Sequence, residues 1–182
     1  GGMSGAQGCL FKTIGCVTVI AEVHRHALEK RHSQGWLKEI HSDLERVINR
    51  IKEARKNKEA TSIGYHGNIV NLWERLGQEE EMIVDLGSDQ TSCHIPYTGG
   101  YYPAGYTWEE SNKIMAEDPE KFKQLVDQSL VRQMAAIDVL VKRGMPFFDY
   151  GNSLLNSASQ AGAPIRNMDT NVKRDFIYPS YV

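Results

Sequence analysis

The chain has 182 residues, 41% of them apolar, with a formal net charge of −2, which is material for one globular domain with a sizeable core. The near-neutral balance gives no electrostatic case for nucleic acid or an anionic membrane, and no apolar run reaches the roughly 18 residues that a spanning helix needs. In chain order, Ser4 to Ile14 has helical composition, with Gly15 placed to end it. Val17 to Ile20 is a short β-branched strand, and a polar helix runs from about His24 to Gln34. Ser42 to Lys56 is a helix in which Ser42 and Glu45 form a capping box and Leu44, Val47, Ile48 and Ile51 make the apolar stripe. Thr61 to Tyr65 is a strand, followed by a helix from about Asn68 to Leu76. The apolar run Met82–Leu86 reads as a buried strand of a parallel sheet.

Thr107 and Glu110 cap a short helix, and Asp118 before Pro119 is a favoured helix start. A long amphipathic helix follows, marked by Phe122, Leu125, Val126, Leu130, Met134, Ile137, Leu140 and Val141 and ending at Gly144. Pro146 to Tyr150 is a strand, Ser153 to Ala161 a helix, and residues 162–173 a loop. Strands separated by helices imply an α/β fold: a doubly wound, mainly parallel sheet with helices on both faces.

Three cysteines, an odd count, do not suggest a disulfide framework. Cys9 and Cys16 fall in apolar surroundings and are expected reduced, in the core of a cytoplasmic protein. His24, His26, His32 and His41 invite a metal site, but no cysteine or carboxylate accompanies His24 and His26 at ligand spacing; solvated histidines of a polar helix are the plainer reading, and no metal is expected.

The residues that carry chemistry cluster after the inferred strands, where open α/β sheets bind ligands. Gly1–Gln7 is either a flexible start or a pyrophosphate cradle whose small residues let phosphate reach the free N–H groups of a helix start. Glu22, 20 positions after Gly2, is placed to accept from ribose hydroxyls, and its charge favours NAD over NADP. Asn68, in His66-Gly67-Asn68, is an N-cap candidate. Gln90, Thr91 and Ser92 offer an amide and hydroxyls suited to a carboxamide or a phosphate. Cys93 beside His94 raises a thiolate nucleophile, but adjacent side chains on an extended strand diverge. Tyr101 and Tyr102 could be ordinary packing aromatics.

The run Asp89-Gln90-Thr91-Ser92-Cys93-His94, followed by Gly99-Gly100-Tyr101-Tyr102-Pro103, resembles the urocanase family. Gly1–Gln7 is similar to that family's glycine-rich NAD loop, His66-Gly67-Asn68 to its HGN motif and Phe148–Asn152 to its DYGN motif. Phe176–Tyr181 is similar to the segment leading out of its NAD domain.

The resemblance covers essentially the whole chain. It implies that a further strand and glycine precede Gly1, that a catalytic core domain lies beyond Val182, and that residues 1–182 are a Rossmann-like NAD-binding domain. It places NAD⁺ against Gly2, Met3, Ser4, Glu22, Asn68, Ile69, Gln90, Thr91, Ser92, Cys93, His94, Tyr101, Tyr102 and Tyr150, with Asp149 and Asn152 ordering their loop. An arginine that contacts NAD in bacterial members falls on Ala27, leaving Arg25, Lys30 or Arg31 as replacements.

The implied activity is a hydro-lyase of histidine breakdown that adds water to urocanate to give imidazolonepropionate, with tightly bound NAD⁺ as electrophile and no net redox. The implied assembly is a homodimer. Most catalytic groups would lie in the core domain. An NAD-dependent dehydrogenase domain would share the glycine loop and Glu22 but has no reason to carry the other motifs. The third reading is a non-catalytic NAD-binding or dimerisation module. An open sheet edge beside the first strand is expected, covered by a second copy or another segment of the same protein. Glu22, Asn68, Gln90, Thr91, His94 and Tyr150 are expected to share one crevice.

Overall fold

The computed structural model describes residues 2–90, 93–151, 153–168 and 175–181. The chain divides into two compact units, residues 1–72 and 73–182. Each holds its own three-stranded sheet, and every strand pairing is parallel.

In the first unit, α1 (Gly2–Thr13) leads through Gly15, whose φ of 93° closes the turn, into β1 (Val17–Glu22). Then come α2 (Arg25–Ser33), β2 (Glu39–His41), α3 (Leu44–Asn57), β3 (Thr61–His66) and α4 (Ile69–Gly77), within which the division of the chain falls. The strand order is β1-β3-β2, with Val17 opposite Thr61 and Glu22 opposite His66. β3 is central and buried from Thr61 to Tyr65, as expected of a parallel strand covered on both faces. It has no side chain where α2 and the α2–β2 connection press on it: a Cβ on Gly64 would lie 2.9 Å from Leu37 Cδ1 and 3.0 Å from Leu28 Cδ2. Likewise a Cβ on Gly8 would lie 2.7 Å from Ile20 Cδ1, so α1 rides directly on β1. The stripe of α3 buries Val47, Ile48, Ile51 and Ala54.

The second unit carries β4 (Gly87–Gln90), α5 (Trp108–Glu117), α6 (Pro119–Lys142), β5 (Phe147–Tyr150), α7 (Ser153–Gln160) and β6 (Ser180–Tyr181), with strand order β4-β5-β6. Its core is the inner face of α6, where Phe122, Val126, Leu130, Ile137 and Leu140 are fully buried. Phe147 meets Trp73 and Tyr178 edge-on, at centroid distances of 6.3 and 5.8 Å, a favoured aromatic geometry. Thr107 and Glu110 form the expected capping box, and the Lys121 amide donates to Asp118.

Several expectations are corrected. Met82–Leu86 is not a strand. Leu86 is 48% exposed, Asp85 interrupts the run, and pairing begins at Gly87, where the lack of a side chain admits Trp73 and Phe147. The cap of α3 is Asp43, which accepts from the Glu45 and Arg46 amides, not Ser42. His41 ends β2 rather than lying in a helix. Cys16 is exposed and Cys9 only half-buried, whereas Cys93 is the buried thiol. In the expected loop, Arg166 and Phe176 form an antiparallel bridge, and residues 169–174 lie outside the described residues.

One polar network ties the first unit together. Glu39 accepts from Arg50 Nε at 3.0 Å and from Thr61 Oγ1 at 3.0 Å, and pairs with His41 Nε2 at 2.9 Å. Arg50 Nη2 donates to Glu59 at 2.7 Å. Burial by itself pushes the Glu39 carboxyl up, but the bonds from His41, Thr61 and Arg50 outweigh it and hold it below the usual value. A carboxyl depressed on folding contributes stability above its unfolded value and loses it as pH falls through its folded one. Glu39→Gln is therefore expected to destabilise the chain by about 1–3 kcal/mol at neutral pH. The gap from wild type should close as pH drops below the ordinary carboxylate range. Urea midpoints measured across that range check this; a gap independent of pH would refute it.

Candidate functional site

Parallel pairing sends the ends of β1, β2 and β3 to one edge of the first sheet. β1 ends at Glu22 and β3 at His66, and the Gly67 amide donates to the Glu22 carbonyl at 3.2 Å. The Glu22 carboxylate is half-buried and accepts from the His24 amide at 3.0 Å, which fixes it at the mouth of α2. His66 bridges neighbouring turns: Nε2 lies 3.2 Å from the Val23 carbonyl, and Nδ1 lies 3.3 Å from Ser42 Oγ. Asn68 is buried and its Oδ1 accepts from the Val70 amide at 3.0 Å, the N-cap geometry expected for α4. Ile69 opens that helix.

Because α1 lies against β1 and joins it through a tight turn, its first residues run toward this same carboxyl edge. Gly2, Met3 and Ser4 form the first turn, whose amides have no intrahelical acceptor. The side chains of residues 1–5 lie outside the description.

Ala27 is half-buried on α2. Of the expected replacements, Arg25 pairs with Glu29 at 2.8 Å, and Arg31 bonds Gln34 and stacks over Trp36. Lys30 is exposed. His24 and His26 have ring centroids 6.1 Å apart, and among the described residues no group of three or more His, Cys, Asp or Glu is placed to hold a metal.

At the carboxyl edge of the second sheet, Gln90 stands opposite Tyr150 and Asp89 opposite Asp149. The side chain of Gln90, and Thr91, Ser92 and Asn152 entirely, lie outside the described residues. Cys93 and His94 sit in a turn rather than on an extended strand. Cys93 is buried and His94 is exposed, so the chain turns the thiol inward and the imidazole outward. Tyr150 is 43% exposed.

Asp149 is wholly buried and accepts from the Leu155 amide at 3.2 Å, tying the first turn of α7 to the end of β5. Its Oδ1 has no hydrogen-bond partner among the described residues. Burial pushes this carboxyl up, against opposing bonds from the Leu155, Leu154 and Tyr150 amides and the nearby His94.

The segment after His94 is fastened to α5 and α6 by phenols. Tyr97 donates to Asp127 at 2.7 Å, Tyr101 to Gln133 at 2.8 Å, and Tyr102 to Asn112 at 3.2 Å. Burial, with Asp127 beside it, pushes the Tyr97 phenol up to about 12. Tyr101 is 4% exposed and Tyr102 is half-buried; packing accounts for the first, and the second keeps an open face.

Sequence reading missed three partners: Ser42 for His66, Ser153 for His94 at 3.0 Å, and the Tyr97–Asp127 pair. Hydroxyls and carboxylates far along the chain leave no local signal of such contacts.

Gly67 has a reason that the sequence hides. The ring of Tyr65 lies directly against its Cα, and a Cβ there would overlap Tyr65 Cζ and Oη and come within 2.6 Å of Cε1. Since Tyr65 is itself buried, the ring cannot swing away. Gly67→Ala is expected to destabilise by about 1–3 kcal/mol through overpacking. Thermal unfolding checks this, and an unchanged midpoint would contradict the packing described.

The sequence matches the Urocanase Rossmann-like domain over residues 1–182. It is 56% identical over 182 residues to a probable urocanate hydratase of Caenorhabditis elegans. It is 52% identical over 186 aligned residues to the urocanate hydratases of Mus musculus and Homo sapiens. In each case the whole of this chain is covered, and it spans 27% of the relative's length. With parallel strands, intervening helices and a family match along its full length, the chain belongs to the urocanase family, as its Rossmann-like domain.

Proposed function

We propose that the chain is the NAD⁺-binding part of a urocanate hydratase, which in complete form adds water to urocanate to give imidazolonepropionate. The observation that carries this reading is the donor and acceptor set at the carboxyl edge of the first sheet. The unsatisfied amides of the first turn of α1, the Glu22 carboxylate closing β1 and the Asn68-capped start of α4 all belong to that edge. This set fits a dinucleotide: helix-start amides attract a pyrophosphate, and a carboxylate accepts from ribose hydroxyls while opposing a 2′-phosphate. The close seat of Gly8 on Ile20 keeps α1 low enough over β1 for its first turn to serve Glu22's edge.

When bound, NAD⁺ supplies an electrophilic ring that serves as an electron sink with no net redox. This chain's own residues bind and orient. Met3, Ser4 and Ile69 contribute backbone contacts beside the glycines. Gln90, Thr91, Ser92 and His94 offer an amide, hydroxyls and an imidazole to the cofactor's polar end, and Cys93, whose thiol is buried, offers its backbone. Tyr102 and Tyr150 provide aromatic faces, whereas the buried Tyr101 fastens the segment through Gln133. The same reading assigns the acid–base groups and the recognition of the substrate carboxylate to parts of the complete protein outside this chain, which spans 27% of its relatives' length. Histidine breakdown, a cytoplasmic setting and a homodimer belong to the same proposal.

The test follows the absorbance of urocanate's conjugated side chain with this chain and with the complete polypeptide at equal NAD⁺. The complete polypeptide is expected to turn over. The chain alone is expected to bind NAD⁺ weakly or not at all and to leave urocanate intact, because part of a site loses the orientation that makes the rest productive. In the complete protein, Gln90→Ala is expected to weaken cofactor retention by about 0.5–1.5 kcal/mol. Comparable turnover by residues 1–182 would overturn the division of labour.

A further inference from the structure

At the carboxyl edge of the second sheet, His94 is exposed while its Nδ1 lies 3.0 Å from Ser153 Oγ, 59 positions along the chain. Ser153 is the first residue of α7. That helix is not free to drift, because the buried Asp149 holds the Leu155 amide and so anchors its first turn to β5. The opposite ring nitrogen, Nε2, has no partner among the described residues.

We infer that Ser153 is a positioning residue: its hydroxyl fixes the ring orientation and tautomer of His94 and leaves Nε2 as the nitrogen presented to a ligand. A histidine's two nitrogens differ in role, and the hydrogen bond at one sets the proton on the other. Asp149 is no third member of a hydrolytic triad. Its Oδ2 serves the α7 backbone, and its Oδ1 bonds neither His94 nor any other described group. It acts on His94 through the helix start instead. A serine hydroxyl at this distance can donate to Nδ1, which puts the ring proton on Nε2 and makes that nitrogen a donor. The ligand class it suits is an acceptor oxygen, such as a carboxamide carbonyl or a phosphate. This assignment of the ligand rests on the reading of the chain as a cofactor-binding domain; the tautomer itself does not.

The test is ring ¹⁵N NMR of His94 in this chain, assigned with His94→Gln, for wild type, Ser153→Ala and Ser153→Thr. In wild type the shifts should report one tautomer, with the proton on Nε2. Ser153→Ala should move both ring nitrogens toward the averaged values of a free imidazole, and Ser153→Thr, which keeps the hydroxyl, should restore the wild-type pattern. The backbone amide spectrum verifies the fold in each variant. Ring shifts unchanged in a folded Ser153→Ala chain overturn the inference, as do averaged shifts in wild type. If Ser153→Ala unfolds, the Thr variant decides, because a folded Thr chain with averaged shifts overturns it equally.

A second arm measures NAD⁺ retention by the complete polypeptide. Ser153→Ala should weaken it about two- to tenfold, with Thr close to wild type. If His94→Gln leaves retention unchanged while the NMR pattern holds, the cofactor reading of His94 fails and the positioning role of Ser153 stands.

Discussion

Parallel pairing is the constraint on which the rest of this protein depends. A strand that runs parallel to its neighbour cannot be joined to it by a tight turn, so every return carries a helix or a long segment back along the sheet. The carboxyl ends then collect on one edge of each sheet, and so do the segments that follow them. Glu22, His66 and the cap of α4 meet on the first sheet for this reason, and Gln90, Tyr150 and the start of α7 on the second. Chemistry-bearing residues distant in sequence become neighbours without any local instruction to do so.

Helices were legible wherever their own side chains decide them. The Thr107–Glu110 box, Asp118 before proline and the apolar stripes of α3 and α6 are local features, and they act locally. Strands were legible in proportion to their length and burial. β3 is buried from its first residue, whereas β2 has three half-buried residues and β6 is only two residues long, too short for any period to show. The error at Met82–Leu86 has the same root. Apolar character marks burial in general, and the residue that could enter the sheet was the adjoining Gly87, where Trp73 and Phe147 leave no room for a side chain.

The candidate site divides along a similar line. The capping role of Asn68 and the place of Glu22 at a strand end follow from residue type and position. The reason for Gly67 does not, because the ring that forbids a side chain belongs to Tyr65 and turns back over it. Nor could the chain alone reveal that Tyr101 points its hydroxyl at Gln133 inside α6, or that Ser153 meets His94. Such contacts are made by tertiary geometry and leave no spacing rule behind.

The inward turn of Cys93 has a consequence for how this segment can be watched. Its neighbour in sequence is exposed, yet Cys93 is 4% exposed, just before a stretch fastened by Tyr97 and Tyr101, whereas Cys16 is open to solvent. With the half-buried Cys9 replaced, an alkylating reagent meets Cys16 at once and Cys93 only when local opening exposes it. The delay between the two labels is therefore a clock built into the chain. It times the exposure of Cys93 against an internal reference in the same molecule.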